Sequence, residues 1–153
     1  MSDKDLLKSA YISLHENLAS KQAVFERIAE IAVNNHITGC KNEIINGLFQ
    51  RENQSTTGFL DGFAIPHVIS ETVNHASVFI LKNEEGIDWA SLDGQETIFF
   101  IALLIPEKSQ SHHLKLLSAI ARLLMDEEIR QKLLQATDKE EISNLLTPAV
   151  CNR

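Results

Sequence analysis

Apolar residues recur along this chain with two different periods, and the change between them divides it into three parts. In "SKQAVFERIAEIAV", Val24, Ile28, Ile31 and Ala32 fall three and four apart, on one face of a helix. Ser20 stands where an N-cap hydroxyl is wanted, and Asn34 with Asn35 closes the segment. "KNEIINGLFQRE" repeats the period with Cys40, Ile44, Ile45, Leu48 and Phe49, so Cys40 is expected as a buried free thiol on that stripe. The helix should end near Arg51 to Asn53 and release the polar run "RENQSTTG" as a loop.

The period then shortens. "GFAI", "SVFIL" and "TIFFIALLI" are short, β-branched or aromatic, and bounded by turn residues, which predicts strands. The last is apolar without alternation, as in a strand covered on both faces. Glu85-Gly86 and Asp93-Gly94 signal turns. After Pro106 the helical period returns. Ser109 is expected to cap a helix carrying Leu114, Leu117, Ile120, Ala121 and Leu124, and a shorter helix surrounds Ile129, Leu133 and Leu134. A capping box, Thr137 with Glu140, opens the last helix and Pro148 ends it. The first dozen residues are polar and read as an arm. Helices, then strands, then helices predict an α/β domain whose sheet is covered by helices on both faces.

Composition narrows the function. With 153 residues the chain is expected to be one domain, 1–153. Its net charge of −7 disfavours a nucleic-acid partner, because a phosphate backbone is held largely by cations. The start has no basic segment followed by an apolar run, and the longest apolar run, residues 98–105, is too short to cross a bilayer. Cys40 and Cys151 lack metal-type spacing. A cytoplasmic protein without metal or other cofactor is expected.

Six histidines remain to be placed. His15, His36 and His75 sit in polar or boundary contexts and read as surface or satisfied structural residues. His67 ends "TTGFLDGFAIPH". Pro66 fixes its own φ and drives Ile65 into an extended conformation, so the ring leaves a strand end with little backbone freedom. Two readings stand at this point: a reactive imidazole held at a fixed angle, or a histidine that merely terminates a strand. His112 and His113 open the helix after Ser109. His113 shares its face with Leu117, Ile120 and Leu124, whereas His112 lies nearer the edge with Leu116 and Leu123. Taken alone, His113 reads as a hydrogen-bonded core histidine; a second group meeting it there would change that. In "QRENQSTTG", Arg51 can bind a phosphate or carboxylate bidentately, Ser55, Thr56 and Thr57 offer hydroxyls, and Gly58 permits close backbone approach. Glu52, Asn53 and Gln54 read as solvated loop.

"RENQSTTGFLDGFAIPH", "GIDWASLDGQETIFFIALLIPE" and "HHLKLLSAIARLLMDEEIRQKLLQATDKEEISNLL", in that order, resemble the IIA component (EIIA) of the fructose/mannitol class of the bacterial phosphoenolpyruvate-dependent sugar phosphotransferase system (PTS). The likeness runs from about residue 18 to 146. It implies a single-domain α/β sandwich, a mixed sheet flanked by helices. It implies that His67 accepts a phosphoryl group from phospho-HPr and passes it to a cysteine of the EIIB component. His113 would lie against the active histidine and Arg51 near the phosphorylation site; His112 matches no role. The membrane EIIC component, not this chain, would select the sugar. Phe59, Phe63, Ile65 and Val68 would form a surface that docks HPr and EIIB; plain core is the other reading of all four, and the favoured one for Ile65. "NQSTTGFLDG" departs from the G-S-T-G-I-G-x-G run of the nitrogen-regulatory branch and favours a transport component over a regulator. A regulatory phosphoprotein of the same fold and a histidine-based hydrolase are the competing functions.

Overall fold

The computed structural model describes residues 6–151, with the side chains of His112 and Cys151 outside that description. Ser20 caps as its position requires: its hydroxyl accepts the Ala23 N–H at 3.1 Å, and helix α1 (Lys21–Asn34) follows. Val24, Phe25, Ile28, Ala29, Ile31 and Ala32 form its buried face. Helix α2 (Lys41–Gln54) starts one residue after Cys40. Cys40 is therefore exposed at the helix boundary rather than buried on the stripe, which runs instead through Ile44, Leu48 and Glu52.

Among the described residues, five strands form one mixed sheet: β1 (Ile12–Glu16), β2 (Phe63–Ala64), β3 (His67–Ser70), β4 (Ser77–Ile87) and β5 (Thr97–Pro106). β1 runs parallel to β4, β4 antiparallel to β5, and β2 and β3 lie parallel to β5 on its other side. β1 begins where the expected polar arm ends, in a stretch for which no strand is expected. Its alternation, Ile12 buried and Leu14 half-buried between polar residues, is too short to stand out in sequence. Residues 1–5 of that arm lie outside the described residues. Gly86 makes no turn but sits inside β4, where the ladder is irregular between Lys82 and Ile87. Asn83 supports this stretch, accepting the Leu18 N–H at 2.7 Å and donating to Glu85 O at 2.8 Å. Asp93-Gly94 does turn: Gly94, at φ +75°, donates its N–H to Ser91 O at 3.0 Å.

The unbroken apolar run of β5 reflects burial on both faces. Phe99, Ile101, Leu103 and Ile105 pack with helices α3 (Gln110–Leu123), α4 (Glu127–Gln135) and α5 (Lys139–Cys151). Phe100, Ala102 and Leu104 pack with α1 and α2. Each of the larger of these side chains contributes roughly 1.5–3 kcal/mol by leaving water.

Two boundary expectations are corrected. Asp138, not Thr137, caps α5: its carboxylate accepts the Glu141 N–H at 2.8 Å, while Glu141 reaches back to the Thr137 N–H. Pro148 does not end α5. It lies in the last turn, and burial of Ala149 and Val150 in the core holds the helix beyond it.

One ion pair ties the chain before β2 to the helical layer. Arg130 Nε donates to Asp61 Oδ2 at 2.9 Å, and its Nη1 donates to Leu124 O at 2.7 Å. Asp61→Ala would leave a largely buried guanidinium short of one acceptor, and we expect about 2 kcal/mol of lost stability in urea unfolding. An unchanged midpoint would mean that water replaces the carboxylate.

Candidate functional site

β2 and β3 are two parts of one line along β5, interrupted at Ile65-Pro66. Pro66 has no N–H to give, but its carbonyl still accepts from Leu103 N–H at 3.0 Å, so the line resumes at once. His67 thus opens β3 rather than ending a strand. The interruption leaves the Ile65 carbonyl 2.9 Å from His67 Nδ1. A carbonyl only accepts, so Nδ1 carries the proton and Nε2 presents a lone pair. A second bond agrees: Arg51 Nε donates to Nε2 at 3.0 Å.

α2 brings the arginine there. Gly47 lies one helical turn before Arg51, and a Cβ added to it would overlap Val68 Cγ2. Glycine inside a helix costs about 1 kcal/mol relative to alanine, and here it lets α2 lie directly on β3. Arg51 Nη1 also donates to Ser55 O at 2.9 Å. The resulting open cleft, about 330 Å³, is lined by Gln50, Arg51 and Gln54 of α2, His67 and Ile69 of β3, and Leu114 of α3. It lies at the sheet edge formed by β3, between the last turn of α2 and the start of α3.

Burial holds the His67 imidazole below its ordinary pKa of 6.5, and the Arg51 charge acts in the same direction. The Ile65 carbonyl and the Glu52 carboxylate oppose the shift. The neutral ring is therefore favoured. The unfolded chain binds this proton more readily than the folded one, so the stability linked to His67 is present above about pH 6.5 and is lost as pH falls towards the folded value. A reaction needing the Nε2 lone pair should keep its rate through pH 6.5 and decline only below it. A midpoint at or above 6.5 would contradict the geometry.

His113 is 7% exposed in the first turn of α3, on a buried stripe with Leu116, Ile120 and Leu124. Leu116 belongs to the core rather than the helix edge, and Leu117 is only partly buried. His113 Nδ1 lies 3.1 Å from Ser109 O and 2.9 Å from Ser109 Oγ. The carbonyl again assigns the proton to Nδ1. Ser109 precedes α3, but its hydroxyl engages this ring rather than capping the helix. Leu114, next in the chain, lines the cleft beside His67. The reading of His112 lies outside the described side chains.

The loop hydroxyls are otherwise engaged. Thr56 Oγ1 donates to Trp89 O at 2.7 Å, and Thr57 Oγ1 donates to Glu52 at 2.6 Å. Glu52 is buried, not solvated. Gly58 makes its close approach to Ser91. Phe63, Ile65 and Val68 are core, which leaves Phe59, partly buried, of the four expected surface residues. His15 and His36 are exposed and His75 half-buried. Sequence reasoning assigned no role to Gly47 or Trp89, and it read Glu52 as solvated loop and Ser109 as a cap where the fold uses them to hold Thr57 and His113. A glycine inside an apolar helical period was a signal, and so was the spacing of Glu52 from Ile44 and Leu48. No cluster among the described residues could hold a metal ion, and no described helix is long and apolar enough to cross a membrane.

The chain is 32% identical over 139 residues to the PTS system fructose-specific EIIA component of Haloferax volcanii, covering 91% of this chain and 90% of that one. Its fold matches the nitrogen regulatory protein IIA-Ntr of Neisseria meningitidis with a TM-score of 0.87 at 26% identity, over 94% of this chain and 97% of that one. It also matches the enzyme IIA in the complex of enzyme IIAMTL and phosphorylated enzyme IIBMTL from Escherichia coli. That TM-score is 0.77 at 18% identity, over 97% and 100% of the two chains. The mixed sheet between two helical layers is the fold of these proteins. Residues 5–148 match the family model described as "Phosphoenolpyruvate-dependent sugar phosphotransferase system, EIIA 2", and this chain, with its imidazole and guanidinium joined at one sheet edge, belongs to that family of phosphocarriers.

Proposed function

We propose that His67 is the phosphoryl-accepting residue and that the whole chain acts as one EIIA domain, taking the group from phospho-HPr and giving it to a cysteine of EIIB. One observation carries the reading: Nδ1–H is held by the Ile65 carbonyl while the Nε2 lone pair faces the cleft beside a guanidinium. The lone pair attacks phosphorus, the donor's bond to phosphorus breaks, and Nδ1 keeps its proton. Arg51 leaves Nε2 and takes the phosphoryl oxygens, where its two-pronged donor face fits. In the second half-reaction an EIIB thiolate attacks phosphorus, the N–P bond breaks, and its electron pair returns to Nε2. No proton need be moved in either step.

Hydrolysis would waste the group. Glu52 is engaged with Thr57 and Asp61 with Arg130, so neither carboxylate is placed to activate water at His67. This favours a carrier over a histidine-based hydrolase. Incubation with phosphoenolpyruvate, Enzyme I and HPr, followed by mapping of the labelled residue, tests the reading. Label on another residue, or release of inorganic phosphate as the main product, would overturn it.

His113 is proposed to support the phosphoryl group from the start of α3. His113→Ala should slow onward transfer to EIIB about tenfold or more, measured at a temperature where the variant, which loses a buried side chain and its bond to Ser109, is still fully folded. A larger kinetic effect from His112→Ala would move the role to its neighbour.

The likeness to a nitrogen regulatory protein supports a second reading, in which the phosphorylation state controls binding to another protein. Transfer to EIIB, measured directly, separates the two: a regulator would take up label and fail to pass it on.

A further inference from the structure

The last turn of α2 sends adjacent side chains to different places. Arg51 reaches His67, while Glu52, 7% exposed, turns into the protein. Its two oxygens are both used: one accepts the Thr57 N–H at 2.6 Å, the other the Thr57 hydroxyl at 2.6 Å. Thr57 Oγ1 in turn accepts Trp89 Nε1–H at 3.2 Å, from an indole with no exposed surface. Thr56 Oγ1 donates to the Trp89 carbonyl at 2.7 Å, so the loop is tied to one residue from two positions. The same loop supplies the Ser55 carbonyl that holds Arg51 Nη1 at 2.9 Å.

Arg51 therefore touches His67 through Nε while its other arm rests on a loop that Glu52 and Trp89 immobilise. A long side chain with its charge at a cleft mouth has several rotamers open to it, and the loop selects one. Burying a carboxylate is costly, and the two hydrogen bonds from Thr57 offset that cost here.

We propose that Glu52 is a positioning residue: through Thr57 it fixes loop 55–58, and the loop holds the Arg51 guanidinium on His67 Nε2. The consequence for transfer rests on the phosphocarrier reading; the positioning itself does not.

The test uses the free protein. Thr57→Val removes the hydroxyl at nearly constant shape and leaves every charged residue in place, whereas Thr57→Ser keeps the hydroxyl. Nitrogen-15 NMR follows the titration and tautomer of His67 in wild type and both variants. If the clamp positions Arg51, Thr57→Val frees the guanidinium from Nε2 and the His67 midpoint rises by about half a pH unit or more, a threefold gain in proton affinity. Thr57→Ser stays at the wild-type midpoint. An unchanged midpoint in a folded but less stable Thr57→Val overturns the proposal and leaves Glu52 with a purely structural role. A downward shift overturns it as well, since moving the guanidinium away from Nε2 can only raise the midpoint. Should Thr57→Val not fold, Thr57→Ala, which keeps the backbone donor, is read by the same outcomes. Phosphoryl uptake by the wild type is measured alongside. If it fails, the carrier reading falls while the titration still decides the clamp. If it succeeds, Thr57→Val should take up the group about tenfold more slowly.

Discussion

His67→Ala should accept no phosphoryl group from phospho-HPr, a fall on the order of 10³-fold or more, because it lacks the proposed nucleophile. The fold should survive. The substitution removes two hydrogen bonds, to Ile65 O and from Arg51 Nε–H, each worth about 1 kcal/mol, and the residue is only half-buried. Loss of labelling in a variant with wild-type secondary structure and a near-normal unfolding midpoint is the expected pair of results. Normal labelling of His67→Ala would show that another residue carries the group, and the lone-pair argument would fail with it.

Arg51→Ala should lower phosphoryl transfer about a hundredfold, near 3 kcal/mol of barrier, as expected when one preorganised donor is removed from developing negative charge. Arg51→Lys should fall between Arg51→Ala and wild type. Lysine keeps the charge, but it cannot contact His67 and the Ser55 carbonyl with one planar group as arginine does. Both variants should raise the His67 midpoint, Arg51→Ala more, since a nearby positive charge disfavours imidazolium. Transfer from HPr to EIIB, measured for the three proteins side by side, decides the matter. Equal rates would remove Arg51 from the chemistry.

Much of this site was legible before any coordinates. Ile65-Pro66-His67 announced a constrained ring, and Arg51 lay at the end of a readable helix. What could not be read was which polar groups the fold would use internally. In sequence Thr56 and Thr57 offer their hydroxyls to a ligand and Glu52 reads as solvated loop, because Trp89, the partner of both threonines, lies 32 residues beyond Thr57 and no local pattern shows that Glu52 turns back onto Thr57. The layered fold followed from periodicity, since β5 is apolar from Ile98 to Pro106 for a simple reason: both faces are covered. β1 escaped because a lone edge strand of five residues carries little signal. Boundaries failed where packing overrode local preference, as at Pro148, or where a cap shifted by one residue, as at Asp138.

The cleft lies between the end of α2 and the start of α3, and this placement has an electrostatic consequence. A helix is weakly negative at its carboxyl end and weakly positive at its amino end, each pole worth typically 0.3–1 kcal/mol to a nearby charge. Arg51 stands in the last turn of α2, where a cation is welcome, and Leu114 brings the amino end of α3 to the cleft. A phosphoryl group on His67 Nε2 would meet one pole of each sign, and the two largely offset. On the phosphocarrier reading the anion would then be held by side chains, Arg51 foremost, rather than by the helix poles. Such a site lends a phosphoryl group a short residence, which suits a protein whose task ends when the group departs.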